Sequence, residues 1–199
     1  LEAASGNQQV ELTASSWRQN MATQSGGVGY FNTTFNTILL DDASLDLNSN
    51  SFENNSAGVA GGAFYIVQAH DIALQSNIWQ NNSAPQGADM WLALSSSDTG
   101  PIATLTVLNE TFGVVSGGDE SLYVSALVAA QFEVTDLFLQ VNTAPHVTLK
   151  GVTAANTLNV TSLHTQAMET ALFDLDETWG VSRLGLLSVE SNNTVQKVM

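Results

Sequence analysis

Apolar and polar residues alternate with period two along short runs of this chain, and the runs recur with the same neighbours. Val10-Glu-Leu12 is followed by Trp17 and then Asn20; Leu45-Asp-Leu47 is followed by Phe52 and Asn55; Ile72-Ala-Leu74 is followed by Trp79 and Asn82. The three copies align without gaps. Glycine comes next in each (Gly26-Gly27, Gly61-Gly62, Gly87), opening a second apolar run over Val28 to Phe31, Ala63 to Val67 and Ala88 to Leu92. Alternation over a few residues, with Val, Leu, Ile, Phe and Thr in the runs and Gly, Asn, Ser and Asp between them, predicts short strands joined by turns. No stretch carries the three-and-four spacing of a capped helix, so little or no α-helix is expected.

Further copies are degenerate. Leu105-Thr-Val107 precedes Phe112, Leu172 to Val181 resembles Leu105 to Val114, and Val147-Thr-Leu149 and Leu187-Ser-Val189 supply two more triplets. The whole chain, residues 1–199, therefore reads as one repeat segment, clearest over 10–93 and degenerate over 94–199. Its turns are too tight for helical crossovers, which predicts a parallel β-helix, a solenoid climbing one strand spacing per circuit. Roughly seven or eight circuits give a rod on the order of 35 Å. Equivalent residues stack in such a solenoid: Leu12, Leu47, Leu74 and Val107 in one row; Trp17, Phe52, Trp79 and Phe112 in a second; Asn20, Asn55 and Asn82 in a third at a turn, satisfying buried polar groups through their amides. Matching Ala63 to Val28 and Ala88, and Tyr65 to Tyr30 and Met90, puts those two rows inside and Phe64 outside.

At these residues the chain resembles the polymorphic outer membrane protein repeats of chlamydial autotransporter adhesins, marked by FxxN followed by GGA and aliphatic residues. Phe52-Glu-Asn-Asn55 with Gly61-Gly62-Ala63 is the fullest match; Trp17 to Asn20 with Gly26-Gly27, and Trp79 to Asn82 with Gly87-Ala88, carry Trp in place of Phe. The likeness covers residues 10–93. It implies a pectin-lyase-like right-handed β-helix acting as a surface adhesin or scaffold. The chain has no cysteine and no membrane β-barrel pattern, so autotransporter secretion does not carry over.

Charge narrows the partners. Four Lys and Arg stand against 19 Asp and Glu, a net charge of -15, which repels nucleic-acid phosphates and anionic membranes. Nucleic acid and membrane insertion are not expected. A polysaccharide lyase on a β-helix needs a base beside calcium-binding carboxylates, and a hydrolase needs a carboxylate pair across a cleft. Arg18, Lys150, Arg183 and Lys197 fall at different points of the repeat, and the acidic groups Asp41-Asp42, Asp119-Glu120 and Asp174-Leu-Asp176-Glu177 read as solvated edges. Asp174 and Asp176 share a strand face and offer a few oxygens to Ca²⁺, fewer than the six that ion takes; alignment on Leu105 sends Asp174 inward. His70, His146 and His164 have no metal-ligand spacing and read as turn or loop residues. No catalytic, cofactor or metal residue is assigned. Six N-glycosylation sequons occur, at Asn32, Asn54, Asn81, Asn109, Asn159 and Asn192; Asn54 and Asn81 precede the inward asparagines and should face solvent.

The expectation is a non-catalytic, extracellular structural or adhesive segment of a longer cell-surface protein or filament. Its partners would be neighbouring domains or subunits by self-association, and cell-surface carbohydrate or protein. The alternative is a carbohydrate-active enzyme or carbohydrate-binding module, which a groove with exposed aromatics beside two carboxylates would favour.

Overall fold

The structure, a computed structural model, describes residues 2–3, 9–32, 44–95, 102–115, 120–140, 146–152, 156–166, 173–184 and 188–190. Those residues are all-β, without helix, and all their named strand pairings are parallel. Glu2–Ala3, Gly29–Asn32, Phe64–Ala69, Met90–Leu94, Leu122–Ala126, Val147–Gly151 and Phe173–Leu175 form a seven-stranded sheet in sequence order. Between successive members the chain crosses to a twelve-stranded sheet, contributing for example Ser44–Asn48 and Ser51–Glu53, then Asp71–Gln75 and Ile78–Gln80.

Single residues with left-handed backbone make the bends, and they recur at matching places. Ala14, Ser49, Ser76, Asn109 and Asp136 occupy the first bend, and Gln19, Asn54 and Asn81 the second. Gly26, Gly61 and Gly87 occupy the third, where glycine is required: a Cβ on Gly61 would lie 2.0 Å from the Phe64 carbonyl oxygen. Strands as long as Ala103–Phe112 span the first bend, pairing with Asp71–Gln75 on one side of it and with Ile78–Gln80 on the other.

Register partners place like on like. Leu12, Leu47, Leu74 and Val107 succeed one another, and the row continues through Val134 and Val160. Trp17, Phe52, Trp79 and Phe112 are likewise in register, continued by Leu139. Trp79 stacks on Phe52 at 4.3 Å and on Phe112 at 6.0 Å between ring centroids, in a core where Leu47, Leu74, Phe52, Trp79 and Phe112 are buried. Each such side chain contributes on the order of 1.5–3 kcal/mol by leaving water.

Three expectations are corrected. Phe64 points inward, fully buried between Phe31, Phe52 and Trp79, while Tyr30 and Tyr65 lie on the outer face of their sheet. The register pairs Gly29 with Phe64 and Phe64 with Met90, so the counterpart of Gly61 is Gly87, one place later than the Gln86 that matching Ala63 to Ala88 gives. Gly29 has no side chain because the Phe64 ring fills its place, 2.6 Å from where a Cβ would stand. Second, the copies after Leu105 are Phe132-Glu-Val134 and Leu158-Asn-Val160, whereas Val147 to Leu149 belongs to the seven-stranded sheet and Ser188–Glu190 pairs with the strand of His164. Third, Phe173–Leu175 is also a seven-stranded-sheet strand and not a copy of Leu105 to Val107; Asp174 therefore pairs with Thr148 and is exposed, in line with the solvated-edge reading and against the inward place that the alignment gives it.

Candidate functional site

Two files of buried side-chain amides run along the interior at the first two bends. In the second, Asn20 donates through its backbone N–H (3.0 Å) and Nδ2 (2.9 Å) to Asn55 Oδ1. Asn55 donates in the same way to Asn82 Oδ1, at 2.9 and 3.0 Å. In the first, Ser15 N–H donates to Asn50 Oδ1, and Asn50 to Asn77 Oδ1. The Nδ2 of Asn50, Asn55, Asn77 and Asn82 also reaches a backbone carbonyl, as Asn77 Nδ2 does to Leu47 at 2.7 Å. An amide suits this place because it accepts from one neighbour and donates to the next.

Both files end on a carboxyl group. Glu110, fully buried in the place after Asn77, accepts from Asn77 N–H (3.0 Å), Asn77 Nδ2 (2.6 Å) and Trp79 Nε1 (2.7 Å). Asp89, 1% exposed, accepts from Asn82 Nδ2 at 2.7 Å through Oδ1, while its Oδ2 has no hydrogen-bond partner. Burial lifts both carboxyls to about 7, overcoming the hydrogen bonds that favour their ionised forms; for Glu110 the nearby Asp89 adds to the rise.

Beyond Asp89 in the same row stand Ser121 and His146, both fully buried. Ser121 Oγ lies 2.8 Å from His146 Nδ1, and His146 Nε2 lies 2.6 Å from the Gln140 carbonyl oxygen. A carbonyl can only accept, so Nε2 carries the proton and Ser121 donates to Nδ1. Burial holds the imidazole neutral, its pKa lowered to about 4. A serine–histidine pair with no exposed surface cannot meet a substrate, so it is no nucleophile and base in this fold.

Outside, the seven-stranded sheet carries a row of partly exposed aromatics. Tyr30 stacks on Tyr65 at 5.3 Å, Tyr65 on Trp91 at 4.5 Å and Trp91 on Tyr123 at 5.9 Å, with planes within 14°. The rings face one another, so interior members of the row turn edges outward and offer no flat platform to a sugar ring. Burial and the neighbouring Tyr30 raise the Tyr65 phenol above its ordinary value.

The residues singled out by sequence separate clearly. Asn20, Asn55 and Asn82 form one file as described. Among the sequons, Asn54 and Asn109 are exposed at left-handed bends, and Asn81 is half-buried at another. Asn159 spends its Nδ2 on Glu133 at 2.7 Å, and its Oδ1 is buried. The backbone of Asn32 pairs with Val67. Asp41, Asp42, Asp119, Lys197 and the sequon at Asn192 lie outside the described residues. Asp174 pairs with Lys150 at 3.1 Å, whereas Asp176 accepts from the Gly151 amide and from Thr178. Slight burial would raise Asp176, but those hydrogen bonds and Lys150 hold it below the ordinary range. The two carboxylates thus serve different partners, and no group of three metal-ligating side chains occurs among the described residues. His70 and His146 stand at bends, as the turn or loop reading has it, and both are buried; His70 Nδ1 is 3.1 Å from Asp71. His164 stacks on Phe138 at 4.3 Å.

Sequence reading missed Asn50, Asn77, Glu110, Asp89, Ser121 and His146. A signal existed for the first three, since each stands three places after an inward Leu47, Leu74 or Val107. The chain matches no protein-family model, no curated protein and no solved structure.

Proposed function

We propose that the chain is a segment of a right-handed parallel β-helix, of the kind its FxxN and GGA-like repeats resemble, serving as a non-catalytic structural or adhesive element at a cell surface or in a filament. The observation that carries this reading is where the acid–base chemistry sits. Asp89, Glu110, Ser121 and His146, the groups brought together, are between 0% and 1% exposed. What faces solvent is regular strand surface with isolated ion pairs such as Arg18 with Glu53 and Lys150 with Asp174. In-register parallel pairing of each strand with its next copy supports the solenoid, and among the described residues its end strands pair on one side only, leaving an edge for neighbouring domains or subunits.

Electron microscopy and sedimentation velocity of the purified chain test the assembly, with an assay of cleavage on a panel of neutral and acidic polysaccharides alongside. Rods that associate end to end and leave every polysaccharide uncut are expected. Turnover of any of them, or a compact monomer at all concentrations, overturns the reading.

The aromatic row favours a second reading, a carbohydrate-binding module, through its length and regularity. Its rings stack on each other, which leaves only edges and the two terminal faces for a sugar. Trp91→Ala separates the readings: sugar affinity falls if the row binds glycan, and only stability falls if the row is structural.

A further inference from the structure

Asp89 sits where one chain of hydrogen bonds must pass to another. From one side Asn20 donates to Asn55, Asn55 to Asn82, and Asn82 Nδ2 to Asp89 Oδ1. On the other side Ser121 gives its only proton to His146 Nδ1, because His146 Nε2 is committed to the Gln140 carbonyl. Ser121 is the next residue in the row, its carbonyl accepting from Asp89 N–H at 2.9 Å, and with its hydroxyl proton spent on His146 its Oγ can only accept. Asp89 is 1% exposed and its Oδ2 has no hydrogen-bond partner, so an ionised carboxylate would hold an unpaired oxygen away from water, a cost that a proton on Oδ2 relieves.

We propose that Asp89 is a buried proton-binding site, its unpartnered Oδ2 protonated between the file of amides that ends on Oδ1 and the Ser121–His146 pair, and that losing this proton destabilises the fold as pH rises to neutrality.

The charged groups around it reinforce the neutral form. Glu110 repels a second negative charge. Glu120, buried beside Ser121, accepts from Gly87 N–H at 2.8 Å and brings another carboxyl. His146 is neutral, and the described basic residues stand elsewhere: Arg18 on Glu53, Lys150 on Asp174, and Arg183 exposed. Glu110 differs from Asp89 in kind. Three donors converge on its oxygens, so of the two carboxyls it is the better suited to lose its proton first.

The sign follows from linkage. Burial raises the folded-state carboxyl of Asp89 from its ordinary 3.8 to about 7. Between those values the folded chain holds a proton that the unfolded chain has lost, so stability falls as pH rises through that window and levels off above it. The acidic surface produces a similar trend by general repulsion, so charge-matched variants are needed.

The test measures unfolding of wild type, Asp89→Asn and Glu11→Gln at pH 5 and pH 8, together with side-chain carboxyl ¹³C shifts in the wild type across that range. Asparagine at 89 still accepts from Asn82 and places an uncharged amide where the protonated oxygen stands, without a titrating proton. The ratio of unfolding constants at pH 8 and pH 5 should be about tenfold or more larger in wild type than in Asp89→Asn. Glu11→Gln, with the same change in net charge on an exposed side chain, should keep the wild-type ratio. An Asp89 carboxyl signal titrating near pH 4, or parallel profiles for wild type and Asp89→Asn, overturns the proposal; the wild-type signal decides it even if the variant does not fold.

Discussion

The indole nitrogen of Trp79 donates to Glu110 Oε2 at 2.7 Å, so the largest ring of the core and a fully buried carboxyl are joined across adjacent repeats. One residue extends the aromatic row, and the other closes the file of amides through Asn77. The bond ties the apolar interior to its polar seam.

Trp79→Phe isolates that tie. Its neighbours above and below, Phe52 and Phe112, already show that phenylalanine fits the row, so the stack survives. Glu110 loses one of three donors while still buried, and a smaller ring leaves space. A loss of about 2–4 kcal/mol in urea unfolding is expected, with the m-value unchanged.

Glycine demand at the third bend predicts a contrast. Gly61→Ala forces a side chain into left-handed backbone and against the Phe64 carbonyl, and should cost more than about 2 kcal/mol. Gly180→Ala, where a Cβ meets only the Asn156 carbonyl at 3.7 Å, should stay within about 0.5 kcal/mol of wild type. Thermal midpoints of the two variants check the pair.

How much of this was legible in the sequence differs by side-chain type. Inward apolar rows such as Leu12, Leu47 and Leu74 announce themselves, because the same packing demand returns at a fixed offset from Trp17, Phe52 and Trp79. Faces around Phe64 were misread because Ala63 and Ala88 invite alignment, whereas the backbone equivalence rests on the left-handed Gly61 and Gly87. Copies after Phe112 were hidden because Leu137 and Leu163 follow Glu110 in its row, removing the polar marker. Buried Asp89 and Glu110 were illegible as core residues, since a carboxyl in a polar stretch looks solvated until its hydrogen-bond donors are placed around it.

His146 predicts an acid-side effect of opposite sign to that of Asp89. Its folded pKa lies near 4 and its ordinary value is 6.5, so between the two the unfolded chain binds the extra proton. Stability from this residue is therefore complete above about 6.5 and is lost as pH falls toward 4. Gln at this position does not titrate. His146→Gln should be less stable than wild type by about 1–3 kcal/mol at pH 7, through the altered bonds to Ser121 and Gln140. The gap should narrow at pH 4.5, measured as the difference between their unfolding midpoints at the two pH values.

Asn55→Asp asks whether the amide files depend on direction and not merely on polarity. Asn55 Oδ1 accepts from Asn20, and an aspartate oxygen can do the same. Its Nδ2, however, donates to the Trp17 carbonyl at 3.0 Å and to Asn82 Oδ1 at 3.0 Å, and a carboxylate would set an acceptor against both. The position is fully buried, so the charge could not be relieved by water. At pH 7 a loss of about 3–5 kcal/mol is expected, more than removal of a single hydrogen bond costs. Protonation restores one donor, so the substituted chain should regain stability relative to wild type as pH falls from 7 to 4, read from urea midpoints of both. Asp89 tolerates a carboxyl because it ends a file of amides; position 55 lies inside one and has an acceptor waiting on the far side. A variant as stable as wild type at pH 7 would mean that the files merely fill polar space.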